Sequence, residues 1–177
     1  HQQAAATDWF HRWIVFGLFP YRSRMARALV PARWMQRLKI DRLMEFSGLT
    51  KLLPSQLRRM QEQLPQLSRP QQPLPEFTVA KGTRRARVGL FIGCVADAMF
   101  RRVHWATLRV LQENGCDVIV PRSQQCCGAI HYHGGAAAPA MELMAGNAAA
   151  FPLDELDAVI VNVAGCGSML KDYQHIH

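Results

Sequence analysis

Long apolar runs are missing from this sequence of 177 residues. The longest, residues 13–19, is seven residues long, whereas a membrane-spanning helix needs roughly 18–20. Pro20 follows at once and no small-residue cleavage site comes after it, so we expect neither a membrane span nor a signal peptide. The first residue is not methionine, and the final DYQHIH is typical of a helix interior. We therefore expect a piece of a longer protein.

Recognisable catalytic sets are also missing. The sequence has no Ser/His/Asp set, no paired-carboxylate arrangement and no phosphate-binding glycine loop. Basic and aromatic residues do not alternate, and no nucleic-acid-binding motif is present, so nucleic acid is not an expected partner. These absences argue against a complete enzyme active site within this chain.

Acidic residues are scarce in the first half. Residues 1–87 contain 16 Lys and Arg against 5 Asp and Glu, whereas residues 88–177 contain 5 against 8. The net charges of +11 and −3 give the +8 of the chain. This asymmetry predicts a basic appendage on a near-neutral domain. The appendage is either a solvated helical surface or a surface that meets an anionic partner or a membrane.

Residues 1–64 are predicted to form a basic helical segment. Apolar residues recur at helical spacing in DWFHRWIVFGLF and RMARALVPARWMQRLKIDRLMEFSGL. Asp8 is the predicted N-cap of the first helix, Gly48 a predicted C-cap, and residues 54–60 begin one more helix. We expect the apolar faces to pack on a neighbouring domain; a basic amphipathic surface on a membrane is the alternative. These faces contain Trp9, Trp13, Phe16, Phe19, Trp34, Met35, Leu38, Leu43, Met44 and Phe46.

The rest of the chain divides into a linker and an α/β domain. Residues 65–87 contain four closely spaced prolines and are predicted to be a semi-extended linker. In residues 88–177, short apolar runs (RVGLFIG, CDVIVP, LDAVIVNVAG) alternate with helical patterns. This alternation predicts an open, mainly parallel sheet with crossover helices.

Five cysteines are present, an odd number in a chain with no secretory signal, which predicts a reducing, cytoplasmic environment. Each predicted strand is followed by cysteine: Cys94 after the first, Cys126 and Cys127 after the second, and Cys166 after the third. The carboxyl ends of parallel strands meet at one edge, so we expect these four on neighbouring loops. Cys116 opens a strand and is expected at the opposite edge.

Four converging thiolates fit an iron–sulfur cluster, tetrahedral zinc or a redox disulfide. The ligands come singly from two loops and as an adjacent pair from a third, which favours a cluster over one small ion. Glycines stand beside the cysteines, where they would let backbone N–H groups approach the sulfurs: Gly93, Gly128, Gly165 and Gly167. His131 and His133 would point to the same side of the chain if their segment is extended, so they could be ligands. We do not assign them to the metal site. His104 is expected to be structural, and Asp97 to lie at a helix N-terminus.

The cysteine pattern resembles a known family. Cys94-x₃₁-Cys126-Cys127-Gly128, with Cys166 following after 38 residues, is similar to the CCG cysteine-rich domain. That domain occurs in the cysteine-rich subunit of heterodisulfide reductase, in lactate-utilisation iron–sulfur proteins and in the iron–sulfur subunit of glycolate oxidase. Several stretches resemble the last most closely: GTRRARVGLFIGCV, ENGCDVIVPRSQQCCGAIHYHGG and DAVIVNVAGCGSMLKDYQH. The basic segment before them resembles that protein's linker region.

The resemblance implies a [4Fe–4S] cluster held by Cys94, Cys126, Cys127 and Cys166, in an electron-transfer subunit. Its partners would be the flavin-containing subunits that oxidise glycolate. It would pass their electrons to an acceptor at the membrane or to a quinone. The location implied is cytoplasmic or peripheral on the inner membrane. The family's ferredoxin motifs and second CCG domain are not found here, so the chain looks like the middle of the subunit.

One position departs from the heterodisulfide reductase pattern. That pattern ends in C-x-x-C, whereas Met169 stands where its last cysteine would be. Four cysteines favour an ordinary cubane cluster and argue against disulfide-reducing chemistry. The alternatives are a zinc-stabilised interaction module, an iron–sulfur subunit for lactate or another 2-hydroxy acid, and direct binding of a quinone or thiol by the cysteines.

Overall fold

A computed structural model describes residues 11–48, 58–59, 62–67 and 71–176. The predicted N-cap Asp8, the apolar residue Trp9 and most of the predicted helix at residues 54–60 lie outside the described residues. The basic segment begins with a π-helical turn, His11–Val15, and continues in helices α1 (Arg22–Ala28), α2 (Val30–Arg37) and α3 (Ile40–Phe46). Pro31 lies in the first turn of α2, where the missing N–H costs nothing, and this explains the break after α1.

A mainly parallel sheet follows the basic segment. Its strands are β1 (Phe77–Thr78), β2 (Ala86–Phe91), β3 (Cys116–Ile119) and β4 (Ala158–Val161), in the spatial order β1-β3-β2-β4. β2 pairs in parallel with β3 and with β4, while β1 is antiparallel to β3. The prediction of an open, mainly parallel α/β sheet is therefore confirmed in the described part of the chain.

Helices connect the parallel strands. Helix α4 (Val95–Glu113) joins β2 to β3, and α5 (Ala129–His133) and α6 (Ala137–Ala150) join β3 to β4. Helix α7 (Ala164–Asp172) follows β4 and passes into a 3₁₀ turn, Tyr173–His175. Because β2, β3 and β4 run in the same direction, their carboxyl ends lie together at one end of the sheet.

The core has two apolar clusters along the sheet. The first joins the strands to α4 and contains Leu74, Val88, Leu90, Ile92, Leu108, Val118 and Val120. The second lies at the carboxyl ends of the strands and contains Phe91, Met144, Phe151 and Met169 together with Cys94, Cys126 and Cys127. Full burial of a large apolar side chain contributes roughly 1.5–3 kcal/mol, so the side chains that surround the cysteines also stabilise this end of the sheet.

The basic segment packs on the domain mainly through α1. Met25 and Leu29 are buried against Ala98 of α4. The expectation that the other apolar residues pack on the domain is wrong for Trp34 of α2 and for Leu43 and Phe46 of α3, which are exposed. Leu38 between these helices and Trp13 before them are exposed as well. The physical reason is that each of these helices is only about two turns long and can cover only part of its apolar side chains, so that Met35 and Met44 are partly buried while Trp34 and Phe46 are not.

The predicted linker is more ordered than its prolines suggest. Leu74 is buried in the first apolar cluster. The carbonyl oxygens of Gln71 and Gln72 accept hydrogen bonds from Arg101 Nη1 and Trp105 Nε1. Residues 77–78 then form β1, a strand that the sequence pattern does not reveal because it is only two residues long. No helix within the described ranges is both long and apolar enough to span a membrane.

Candidate metal centre

Four cysteines from three chain segments meet at the carboxyl ends of β2, β3 and β4. Cys94 precedes α4, Cys126 and Cys127 lie between β3 and α5, and Cys166 lies in the first turn of α7. The sulfur atoms of Cys94 and Cys126 are 3.4 Å apart, as are those of Cys127 and Cys166. All four thiols are free, and those of Cys94, Cys126 and Cys127 are buried.

The structure corrects one detail of this placement. The strand pattern predicts Cys166 on a loop, but β4 ends at Val161 and α7 begins at Ala164, so Cys166 is already helical. Cys116 is the first residue of β3, at the opposite end of the sheet, as predicted.

The neighbouring thiols have the largest influence on the pKa values of Cys94, Cys126 and Cys127, and backbone N–H groups have a smaller one. The N–H groups of Val95, Gly128 and Ala129 favour the thiolate forms of Cys94, Cys126 and Cys127 respectively. Such N–H groups stabilise negative charge on sulfur.

The thiols also act on one another. Hydrogen bonds from Cys126 and Cys166 lower the pKa of Cys127 to about 3, and a hydrogen bond with Cys126 lowers the pKa of Cys94. Their partners respond in the opposite direction: the pKa values of Cys126 and Cys166 are raised, chiefly by hydrogen bonding with Cys127. Two of the four thiols, Cys94 and Cys127, are therefore biased toward the thiolate, the form in which cysteine binds metal.

Two glycines are required by the backbone. Gly128 has φ +87°, and a Cβ there would lie 3.1 Å from the Ala140 carbonyl oxygen of α6. Gly93 has φ +66°, and a Cβ there would lie 3.5 Å from Cys166 Sγ, so the first and last cysteine segments are neighbours. Gly165 and Gly167 are in α7; Gly167 faces the Val161 side chain. Their predicted role beside a cofactor stays a prediction.

Three polar side chains tie the cysteine loop to its surroundings. Buried Gln124 accepts a hydrogen bond from Ile92 N (2.9 Å) and donates one to the Leu90 carbonyl (3.2 Å), so it fastens the loop to the end of β2. Asn147 of α6 and Tyr173 bind the backbone of the Cys-Cys pair itself. Burial raises the pKa of Tyr173 to about 12, so its hydroxyl stays a donor.

Sequence reasoning missed these side chains. The available signal was weak: Asn147 is a poor helix former inside an alanine-rich helix, where a polar side chain needs a partner.

The histidines beside the pair are not arranged as an extended segment would place them. Residues 129–133 are helical, so His131 is buried while His133 is exposed. The His131 ring stacks on Phe16 of the basic segment, with ring centres 5.1 Å apart. The helix forms because Gly128 turns the chain directly into α5, and the resulting geometry makes His131 a packing residue.

A second buried histidine supports the segment that leads to Cys166. His104 Nδ1 accepts a hydrogen bond from Asn162 Nδ2 at 3.0 Å, and Thr107 donates to Asn162 Oδ1 at 3.1 Å. Asn162 directly follows β4, so α4 fixes the start of the turn into α7. His104 is structural, as expected. Asp97 lies in the first turn of α4, as predicted, and pairs with Arg101.

The donor chemistry of this centre fits an iron–sulfur cluster. Four soft thiolates are the usual ligands of such clusters, and they also suit zinc. In the described ranges, no group of three or more His, Cys, Asp and Glu side chains has the arrangement of a single-ion site. The apolar surround would keep water away from a bound cluster.

Comparison with known families divides the chain into two matched regions. Residues 88–171 match the model of the cysteine-rich domain, CCG. Residues 8–64 match the model of the glycolate oxidase iron–sulfur subunit, linker region. No solved structure matches the chain.

Similar curated proteins are named as iron–sulfur subunits or lactate-utilisation proteins. The "Probable glycolate oxidase iron-sulfur subunit" of Bacillus subtilis is 39% identical over 161 residues, covering 90% of this chain and 36% of that protein. "Lactate utilization protein A" of Geobacillus thermodenitrificans is 36% identical over 90 residues, 51% of this chain and 37% of that protein. The protein of the same name from Oceanobacillus iheyensis is 38% identical over 90 residues, 51% of this chain and 36% of that protein. The chain thus spans little more than a third of the length of these relatives.

Proposed function

The chain belongs to the family of CCG cysteine-rich iron–sulfur proteins, and from that premise we propose that it carries electrons within a glycolate-oxidising complex. It would hold a [4Fe–4S] cluster through Cys94, Cys126, Cys127 and Cys166. The observation that supports this most is the meeting of four thiols, three of them buried, from three segments at one end of the sheet.

The protein's contribution is to hold and tune the cluster. When bound, a [4Fe–4S] cluster supplies one-electron transfer. The four thiolates would hold it, and the N–H groups of Val95, Gly128 and Ala129 would stabilise negative charge on their sulfurs. Phe91, Met144 and the other residues of the second apolar cluster would exclude water.

Glycolate is the proposed substrate of the complex because the similarity to the Bacillus subtilis protein includes the basic segment. Similarity to the lactate-utilisation protein covers only half of the chain. Lactate or another 2-hydroxy acid is therefore the alternative substrate. In either case, the substrate would be oxidised by a flavin-containing subunit. The electrons would then pass to an acceptor at the membrane or to a quinone.

The three regions of the chain would have separate roles. The α/β domain of residues 88–177 would hold the cluster. The linker of residues 65–87 would connect it to the basic helical segment of residues 1–64, which would dock on a partner subunit or a membrane. The exposed Trp34, Leu38 and Phe46, close in sequence to Arg37 and Arg42, support contact with an anionic membrane surface. The proposed location is therefore the cytoplasm, peripheral on the inner membrane.

Metal analysis and electron paramagnetic resonance (EPR) test the proposal. The full subunit, purified anaerobically, should contain iron and sulfide in equal amounts and give a cluster EPR signal in one redox state. Serine in place of any of the four cysteines should lower the iron content and change or abolish that signal.

Cys116→Ser is the matched control, because Cys116 is on the same sheet at the opposite end. It should leave iron content and signal unchanged. A protein that contains only zinc and stays EPR-silent after reduction would instead support the zinc-stabilised module.

A further inference from the structure

Asn147 binds the backbone on both sides of Cys126. Its side-chain Nδ2 donates to the Cys126 carbonyl at 2.8 Å, and its Oδ1 accepts the Gln125 N–H at 2.7 Å. Asn147 is itself 2% exposed, so no water competes for these hydrogen bonds. One side chain of α6 thereby fixes the Gln124–Gln125 and Cys126–Cys127 peptide groups.

Tyr173 binds the next peptide group. Its hydroxyl donates to the Cys127 carbonyl at 2.9 Å and accepts from Asn147 Nδ2 at 3.2 Å. Tyr173 lies just beyond α7, the helix that contains Cys166. The Asn147–Tyr173 pair therefore links the loop of the adjacent cysteines to the segment of the fourth cysteine.

The peptide groups held in this way belong to the two adjacent cysteines themselves. The Cys127 carbonyl, held by Tyr173, belongs to the same peptide plane as the Gly128 N–H. The Cys126 carbonyl, held by Asn147, belongs to the same plane as the Cys127 N–H. A peptide group is planar, so a bond that fixes its carbonyl also fixes the direction of its N–H.

We propose that Asn147 and Tyr173 are positioning residues of the cluster site, which fix the backbone of Cys126 and Cys127 and thereby the geometry in which these two thiolates would hold the cluster. The inference rests on the proposed function, because it requires a bound iron–sulfur cluster. Hydrogen bonding around the sulfurs helps to set the potential of a cluster, so loosening the backbone of two of its ligands should shift that potential. Residues that orient metal ligands also affect metal retention, typically by about 10- to 100-fold.

Tyr173→Phe and Asn147→Ala test this role in the full subunit with its cluster assembled anaerobically. Tyr173→Phe removes one hydroxyl and keeps the ring. We expect it to shift the midpoint potential, alter the EPR line shape and speed iron loss to a chelator. Asn147→Ala removes three hydrogen bonds and should do all of this more strongly, with iron loss about 10- to 100-fold faster.

Tyr21→Phe and Asn114→Ala are the matched controls, since Tyr21 is on the basic segment and Asn114 bonds only the end of α4. Both should keep the wild-type potential and EPR spectrum. If Asn147→Ala fails to fold, Tyr173→Phe decides the question.

The outcomes separate this inference from the proposed function. A wild-type protein without an iron–sulfur cluster would refute the proposed function and the inference with it. A wild-type protein with a cluster, together with variants of unchanged potential and EPR spectrum, would refute the inference alone. A lower melting temperature with unchanged spectra would show that the two side chains only stabilise the fold.

Discussion

Arg22 of helix α1 donates from Nη2 to the Gln124 carbonyl oxygen at 2.5 Å, across 102 positions of sequence. The same guanidinium group also binds the Arg122 carbonyl at 3.1 Å. Gln124 in turn fastens the cysteine loop to β2 through its own side chain. The basic segment is thus attached directly to the loop that leads to Cys126, and it braces the candidate metal centre.

Removing this brace should loosen the centre. Arg22→Met should lower the free energy of unfolding by about 1–2 kcal/mol, because charged donors to carbonyls contribute somewhat more than neutral ones and this one is only partly buried. Denaturant unfolding of the full subunit measures the loss. Arg27→Met is the control, since among the residues that the structure describes Arg27 bonds only within α1, to the Ser23 carbonyl. Equal losses in both variants would contradict the brace.

Gly128 should tolerate alanine less well than Gly82. Both have positive φ, which costs an alanine roughly 1–2 kcal/mol. Only at Gly128 would the new Cβ also press on α6, 3.1 Å from the Ala140 carbonyl oxygen, whereas Gly82 has nothing within 4 Å. We expect Gly128→Ala to lower the unfolding free energy clearly more than Gly82→Ala and to weaken iron binding. A chemical denaturation series checks this, and equal effects would mean that α6 can move.

Acid should destabilise the domain through His104. Burial lowers the pKa of His104 below 6.5, and the charge of nearby Asp97 only partly opposes this while Arg101 adds to it. As pH falls through about 6.5, His104 is therefore protonated in the unfolded chain but not in the folded chain. The free energy of unfolding decreases until the pH falls below the pKa of His104 in the folded state.

Unfolding free energies measured from about pH 7.5 down to about pH 5.5, across the ordinary histidine pKa, give this slope. His104→Gln should flatten it, at some cost in stability at the upper end of that range. The exposed His133 supplies the control, and His133→Gln should leave the slope as it is in the wild type. An unchanged slope in His104→Gln would assign the acid sensitivity to other groups.

The exposed aromatic residues of the basic segment should bind anionic membranes. Trp34→Ser combined with Phe46→Ser should weaken binding to vesicles that contain anionic lipid by at least about tenfold, because each large apolar side chain contributes roughly 1.5–3 kcal/mol when buried. Sedimentation with vesicles measures it, and added salt should weaken the wild type. Tyr132→Ser, an exposed aromatic of the α/β domain, is the control. If the wild-type protein does not bind anionic vesicles, the exposed aromatic residues would instead be the docking surface for a protein partner.

The sequence could predict which cysteines meet, because it predicts the strands that position them. Each apolar run predicted a strand, and the rule for parallel sheets then brought Cys94, Cys126 and Cys166 to one edge. The hydrogen bonds of Asn147 and Gln124 could not be predicted, because their partners are backbone atoms between 21 and 34 positions away. Hydrophobic periodicity predicts whether a segment is a helix or a strand. Which backbone group lies beside a given side chain depends on how the helices and strands pack in the tertiary structure.

The basic segment shows the opposite limit. Helical spacing correctly predicted α1 and α2, yet it could not tell which apolar residues are buried. Met25 is covered by α4, whereas Trp34 is exposed, although both fit a helical pattern. Burial depends on where a short helix sits on its neighbour, and nothing in a two-turn pattern encodes that position.

The sulfur pairs also have a consequence for the unfolded chain. Cys94 and Cys126 are 32 positions apart, and Cys127 and Cys166 are 39. A group bound to all four would act as a cross-link that closes two long loops at once, and closing such loops reduces the entropy of the unfolded ensemble. Metal binding would then contribute directly to folding, so a chelator would act on this domain as a denaturant.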